Sequence, residues 1–410
     1  MFTTHKRTFF TFLALSVGLL IFGDIMVFSA AQVTGLTDSG SSFAISWKQI
    51  LVSVVSLPFA WIIARFPIAT LRFFAKWGLF AAVGIMFLLI PFGKSVNGNK
   101  NWIDLGFTDF QPSEVAKVFL ILWAAFIIER NIRKPIQTLK SLLFGFGIVL
   151  LIVLAGEDLG SAVVIGLILA TLLYLAGAEL KLMVFLVCAG IVGIAGLIAT
   201  QPYRMERFTA FLHPFADGVY MNAGWQPAHS LMALASGGLF GSGLGSSKQK
   251  WGNLAEAHTD FIFSVIGEEL GLFGTISLIL ALALLVYSII KISLSARDEF
   301  SKYIGLGVAF WIGIQSLINL ASATSLIPVV GVTLPLISYG GSSLIALVGA
   351  LGFVAGIALR NPEIASEINV RWPLTNPINQ VNSVNPSNSE NFRKVQEKNK
   401  EKSNQKKVAR

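Results

Sequence analysis

The segment Ala257-His258-Thr259-Asp260-Phe261-Ile262-Phe263, running on to Glu268-Glu269-Leu270-Gly271, sets carboxylates at the mouth of an apolar helix and inside it. A charged group facing lipid costs at least ~2.5 kcal/mol, so acids at membrane depth line a cavity, pair with a cation or take part in a reaction. A second such place is Phe110-Gln111-Pro112-Ser113-Glu114-Val115-Ala116-Lys117. Pro112 suits the first turn of a helix and Glu114 its positive end. The step from Glu114 to Lys117 is i to i+3, which puts both on one face within pairing distance. That pair has two readings: an ion pair that helps helices assemble, or an anion contact made by Lys117 and oriented by Glu114.

A third place combines Pro202-Tyr203-Arg204-Met205-Glu206-Arg207 with Gly237-Gly238-Leu239-Phe240-Gly241-Ser242-Gly243-Leu244-Gly245. Two arginines and a glycine-rich turn are what a pyrophosphate site needs, because glycines let backbone N–H groups approach and arginine is a permanently charged fork. Both features are also common outside such sites. Trp102, Trp225 and Trp251 suit either stacking on sugar rings or anchoring at a membrane interface. Ser247-Lys248-Gln249-Lys250 matches the S-x-x-K of penicillin-binding proteins, but neither S-D-N nor K-T-G occurs in the chain, so no transpeptidase domain is expected.

The elements that must position these residues follow from composition. The 410 residues are 54% hydrophobic and 13% charged, with a mean hydropathy of +0.71, which excludes a soluble globular protein and implies an all-α, polytopic membrane protein. A helix needs ~20 residues to cross the bilayer. Apolar runs of about that length predict ten transmembrane helices near 9–31, 50–66, 71–92, 112–128, 139–155, 161–177, 180–200, 261–292, 303–325 and 338–359. The run 261–292 is long enough to tilt or to extend past the bilayer.

Basic residues such as Arg65, Arg72, Arg130, Lys181 and Arg297 crowd one set of connections, and the other set holds about half as many. The positive-inside rule then makes both termini cytoplasmic in the inner membrane. The first apolar run exceeds the ~7–15 residue core of a signal peptide, so an uncleaved helix is expected. The connections 93–111 and 201–260, the latter a large extracytoplasmic loop between helices 7 and 8, are long enough to be functional. Between the last two spans, Pro328, Pro335 and Gly340-Gly341 argue for a re-entrant loop packed against an outer cavity.

Two units result: a transmembrane domain over 1–360 and a disordered, basic cytoplasmic tail over 361–410, whose Asn, Ser, Lys and Glu cannot form a core. Cys188 is alone, and the four histidines lack metal-site spacing. The net charge of +9 needs no nucleic acid to explain it.

The pieces NGNKNWIDLGF, FQPSEVAK, PYRMERFTAFLHPFAD, GLFGSGLG, EAHTDFIFSVIGEELGLFG and GVTLPLISYGGSSL, in that order, resemble the SEDS family of peptidoglycan glycosyltransferases. The last motif and the polar tail resemble its cell-division branch more than its elongation branch, and a sporulation paralogue would look similar. The resemblance implies an enzyme that polymerises lipid II into septal glycan strands at the outer face of the cytoplasmic membrane. It implies Asp260 as the catalytic base, with Glu114 and Lys117 at functional positions of the fourth span. Lys100, Arg204, Arg207, Gln111, Ser113, His258, Ser338, Gly340, Gly341 and Ser342, from the same motifs, are then expected to bind substrate.

A divalent cation, magnesium or manganese, is a candidate cofactor with its ligands unassigned, and no organic cofactor is expected. The implied partners are lipid II, a class B penicillin-binding protein and other membrane proteins of the division machinery. The chain departs from the family pattern at Asn101, where an arginine is usual, and at Gly156-Glu157-Asp158-Leu159-Gly160, where Gln-Pro-Asp-Leu-Gly is usual. The alternatives are a lipid II flippase, which intramembrane charges and broken helices would also suit, an elongation polymerase, or a non-catalytic scaffold.

Overall fold

A computed structural model describes residues 4–96, 99–104, 106, 109–132, 134–199, 202–362, 364 and 365, with backbone alone at 4, 5, 38, 39, 90, 95, 96, 99, 100 and 202–204. The tail expected over 361–410 lies outside the described residues from 366 onward.

Ten long helices form where ten spans were expected. They are α1 (Thr4–Ala30), α3 (Ala44–Ala64), α4 (Ile68–Phe87), α6 (Pro112–Arg130), α7 (Pro135–Ala155), α8 (Leu159–Leu175), α9 (Leu180–Ala199), α12 (Ile262–Leu294), α13 (Glu299–Ala323) and α14 (Gly341–Arg360). Eight of them are long and apolar enough to cross a membrane. The other two are α8, which is short, and α6, which carries Glu114, Lys117, Glu129 and Arg130. Shorter helices fill the connections: α2 (Gln32–Ser39), α5 (Leu89–Phe92), α10 (Pro202–Leu212) and α11 (Trp225–Ser236).

The connection 93–111, expected as a loop, folds into a small antiparallel sheet of β1 (Gly93–Val96), β2 (Asn99–Asp104) and β3 (Asp109–Phe110) in the order β1-β2-β3. Ile103 pairs with Gly93 on one side and Phe110 on the other. This sheet leads the chain directly into α6.

The bundle is organised around α13 and α14. α14 crosses α3, where a methyl on Gly352 would lie 2.5 Å from the Ala60 carbonyl oxygen and one on Gly356 2.6 Å from that of Ala64. Small residues at such crossings let backbones approach, which is how helices associate where no water is displaced. α13 packs on α6, α8 and α12, and α9 sits outermost with Met183 its one buried residue among those described. The N-terminal ends of α6, α8, α12 and α14 converge at one end of the bundle, where the long connections also lie.

At 33 residues, α12 would be about 50 Å long if straight. It is instead broken at Gly271, whose φ of 66° and ψ of −163° are not helical. The excess length anticipated from sequence is therefore absorbed by a kink. The segment 324–340 between α13 and α14 is irregular, partly exposed over 324–331 and largely buried over 332–340, so its second half packs as a re-entrant loop would. Leu336 takes a positive φ of 66°, and the Ser338 hydroxyl both accepts from Leu334 N at 2.8 Å and donates to the Thr259 carbonyl at 2.6 Å.

Candidate active site

A cavity of about 320 Å³ opens where the four helix N-termini meet. One wall is built by Gln111, Glu114 and Lys117 of α6 with Asp158 and Ser161 of α8. The opposite wall is built by Arg207, Glu256, His258, Thr259 and Asp260, and the segment 329–333 with Tyr339, Gly340 and Gly341 closes the third side. Eight of the residues expected from sequence therefore share one space: Asp260, Glu114, Lys117, Arg207, Gln111, His258, Gly340 and Gly341.

Asp260 ends a tight turn that starts α12. Glu256 adopts a positive φ of 56°, and its carbonyl accepts from the amides of Thr259 at 3.1 Å and Phe261 at 3.2 Å. A methyl added to Gly331 would lie 3.6 Å from Asp260 Oδ2, so the re-entrant segment lies directly against this carboxylate. Asp260 is half-exposed to the cavity, yet protein encloses it. Burial raises its pKa to about 7; Glu256 and Asp158 add to the rise and Arg207 opposes it.

The Glu114–Lys117 pair is buried, with the ammonium 2.7 Å from Glu114 Oε1. Lys117 Nζ also donates to Gln315 Oε1 at 2.9 Å and lies 4.9 Å from the centre of the Trp311 ring, whose indole N–H donates to the same Gln315 oxygen at 2.7 Å. These contacts form the ion pair, and because Lys117 also lines the cavity the reading as an anion contact stands beside it. The lysine is held by α13, and Glu114 Oε2 is left buried with no hydrogen-bond partner.

Ser113, Ser338 and Ser342 stand behind the cavity and brace it. Ser113 Oγ lies 3.0 Å from Ser161 Oγ, and Ser342 Oγ accepts from Gln111 N at 3.0 Å, tying α6 to α8 and α14. The side chains of Lys100 and Arg204 lie outside the described residues. The glycine-rich turn 237–245 and Glu268-Glu269 do not line the cavity. The turn's amides are committed elsewhere, because Ser242 N and Gly243 N donate to the Glu268 and Glu269 carbonyls at 2.9 and 3.0 Å.

The two departures from the family pattern have structural outcomes. Glu157 takes a φ of 61°, which proline cannot adopt, so this turn is built differently from one carrying proline there. Asp158 still caps α8 by accepting from Ser161 N at 2.9 Å, while Gln111 Nε2 reaches its other oxygen at 3.4 Å. Asn101 lines the cavity with its Oδ1 buried and without a partner.

Four residues of the site's scaffold were missed: Trp311, Gln315, Asn319 and Thr333. Gln315 Nε2 donates to the Thr333 carbonyl at 3.1 Å, and Asn319 Nδ2 donates to the Asp260 and Val332 carbonyls at 2.8 and 2.7 Å. Their signal was available, since Trp311, Gln315 and Asn319 recur every four residues and so form one polar stripe on an apolar helix.

Residues 9–362 match the family model for FtsW, RodA and SpoVE, described as cell cycle proteins. The chain belongs to that family. It is 38% identical to the probable peptidoglycan glycosyltransferase FtsW of Coxiella burnetii, over 84% of this chain and 94% of that one. It is 37% identical to the protein of the same name from Tolumonas auensis, over 84% and 90%. Among solved structures, a chain of a peptidoglycan synthase complex in which polymerization and crosslinking are structurally coordinated superposes with a TM-score of 0.69 at 26% identity, over 85% of this chain and 96% of that one. The rod shape determining protein RodA of Thermus thermophilus gives 0.63 at 25% identity, over 85% and 96%.

Proposed function

We propose that this family member is a peptidoglycan glycosyltransferase that polymerises lipid II during cell division, with Asp260 as general base. One observation carries the assignment of the base: a carboxylate with a pKa near 7 faces a polar cavity, and general bases work best when their pKa lies near the operating pH. As the acceptor hydroxyl oxygen bonds to the anomeric carbon, its proton passes to Asp260. The anomeric C–O bond breaks, and its electron pair leaves with the pyrophosphate.

The leaving group calls for positive charge, and the cavity wall is acidic. Asp109, Glu114, Asp158, Glu256 and Asp260 face it, against Lys117, which is already paired, and Arg207. The converging helix N-termini supply part of the compensation, α14 in particular, which starts at Gly340-Gly341 with no side-chain cap. Among the described residues, no three acidic, histidine or cysteine side chains form a closed ligand set. A divalent cation would therefore be held by one or two carboxylates at most, and Asp158 and Glu256 line the cavity beside Asp260 where they could supply them. When bound, it supplies further charge to the departing pyrophosphate.

In this reading both termini are cytoplasmic, the cavity faces outward, and the new strand is crosslinked by a class B penicillin-binding protein. The test is polymerisation of labelled lipid II by the purified chain with that partner, comparing the native protein with Asp260→Asn. Strands from the native protein alone support the assignment. Strands from both remove Asp260 from the mechanism. None from either, alongside lipid II movement across liposomes, replaces the enzyme with a flippase.

A further inference from the structure

A break in a helix frees the carbonyls before it and the amides after it. At Gly271 the loop 237–243 satisfies both sets. Ser242 N and Gly243 N donate to the carbonyls of Glu268 and Glu269, while Leu272 N and Phe273 N donate to those of Gly238 and Leu239 at 2.9 and 3.2 Å. The approach requires glycine at three positions. A methyl on Gly237 would lie 1.9 Å from the Gly267 carbonyl oxygen, one on Gly241 2.2 Å from that of Glu269, and one on Gly271 2.3 Å from Gly241 N.

The two carboxylates at the break complete the joint. Glu268 accepts from Ser247 Oγ at 2.5 Å, from Lys248 N at 2.9 Å and from Gln249 N at 3.3 Å. Glu269 accepts from Lys250 Nζ at 3.0 Å, from Ser247 N at 3.3 Å and from Ser29 Oγ at 2.7 Å. Lys250 Nζ closes the set on the Gly245 carbonyl at 2.7 Å and Ser29 Oγ at 3.0 Å. Both side chains of the Lys250–Glu269 pair are fully buried. The S-x-x-K pattern thus has a role here: Ser247 and Lys250 reach adjacent glutamates, and Ser29 adds α1.

We infer that Glu268 and Glu269, with Ser247, Lys250 and Ser29, are positioning residues for Asp260, fixing the tilt of the half-helix Ile262–Leu270 at whose start Asp260 stands. This rests on the glycosyl-transfer reading above. Nine residues span about 13 Å, so a tilt of about 5° at the break moves Asp260 by about 1 Å. A shift of that size costs on the order of 10²-fold in rate for a group that must meet a reacting proton. A helix merely bent at glycine would need no buried ion pair, whereas this joint fixes three elements, α1, α12 and the loop 237–250, in one place.

The test uses the full chain with its crosslinking partner and lipid II. Lys250→Met is expected to lower kcat/KM by about 10- to 100-fold and to move the acidic limb of the pH–rate profile below 7, because a loosened Asp260 is better hydrated. Lys250→Arg should restore both. Amide hydrogen exchange at 259–264 should quicken in Lys250→Met while that of α13 stays unchanged, a readout that stands even if lipid II polymerisation is not the activity. An unmoved pH limb, an unmoved kcat/KM per folded molecule and unchanged exchange at 259–264, with only less folded protein, would make the joint a stability element and overturn the inference. If Lys250→Met does not fold, Ser247→Ala, which removes one bond to Glu268, takes its place in the same measurements, and the same outcomes support or overturn the inference.

Discussion

Asn319 of α13 holds the backbone of Asp260, its side-chain amide donating 2.8 Å to the Asp260 carbonyl and 2.7 Å to that of Val332. One side chain thus ties the start of α12 to the re-entrant segment across the cavity wall. Asn319→Leu leaves two buried carbonyls without this donor, at about 1–3 kcal/mol each. The expected outcome is a loss of kcat well beyond any change in KM, measured in the lipid II polymerisation assay, together with a lower melting temperature in detergent.

The pKa of Asp260 sets the pH dependence. A base held near 7 is half ionised there, so kcat/KM should rise tenfold per pH unit below 7 and level off above it. A limb near pH 4 would show that the carboxylate is solvated as in water and would remove the raised pKa from the mechanism.

The same shift acts on stability, with a definite sign. An ordinary aspartate ionises near ~3.9 in the unfolded chain, whereas the native state keeps the proton until about 7. Native stability therefore falls as pH rises from about 4 to 7 and is flat above. Asp260→Asn should melt higher than the native protein at pH 8, by about 1–4 kcal/mol, with the gap closing toward pH 5. Inactivity with higher stability would mark a functional acid, and equal melting curves at both pH values would contradict the shift.

Gly331 makes a sharper probe of the cavity than any charged residue. Its φ of 75° strains any side chain by about 1 kcal/mol, and a methyl there would touch Asp260 Oδ2. Gly331→Ala should fold and lose most activity. Gly40→Ala, with a φ of 68° and open space around it, carries the same strain far from the site and should leave polymerisation unaltered.

For the buried pair on α6, removing one partner is the costly change. Lys117→Met strands Glu114 without a cation and should destabilise by about 3–5 kcal/mol, while Lys117→Met with Glu114→Gln should recover much of that. A double-mutant cycle in thermal unfolding measures the coupling. Additive effects would show that Gln315 and Trp311 hold the lysine without the glutamate.

Sequence alone was enough for the helices and for part of the cavity lining, because both depend on local signals, but Asp109, Asp158 and Glu256 face the cavity from positions that carry no such signal. Apolar length located ten long helices, eight of them apolar enough to span a membrane, and carboxylates in apolar surroundings pointed to Asp260 and Glu114 but also to Glu268 and Glu269 away from the cavity. Roles were harder to read, because they depend on which side chain meets which across the bundle. The partners of Lys117 across the bundle, Gln315 and Trp311, cannot be read from its own segment. The glycine-rich turn 237–245 suits a phosphate loop equally well until the break at Gly271 is seen to take the amides of Ser242 and Gly243. The short sheet before α6 escaped notice because β1 and β2 are a few residues each and lack clear alternation.

Among the described helices α14 is synthesised after the others and is the most deeply buried of those apolar enough to cross a membrane. Its crossing partner α3 carries Ser46, Gln49, Ser53 and Ser56 at heptad-like spacing, all buried in the finished bundle, and Gln49 accepts from Gly340 N at the foot of α14. During translation, then, Ser53 can meet Asp24 of α1 at once, but Gln49 gains its Gly340 partner only after more than two hundred and fifty further residues have emerged. The α3–α14 crossing is thus among the last contacts of the bundle to form as the chain is made. A chain truncated before 340 would keep the packing of α12 and α13 on α1, α6 and α8 but would lack the helix that covers α3 and leave Gln49 without its partner at Gly340.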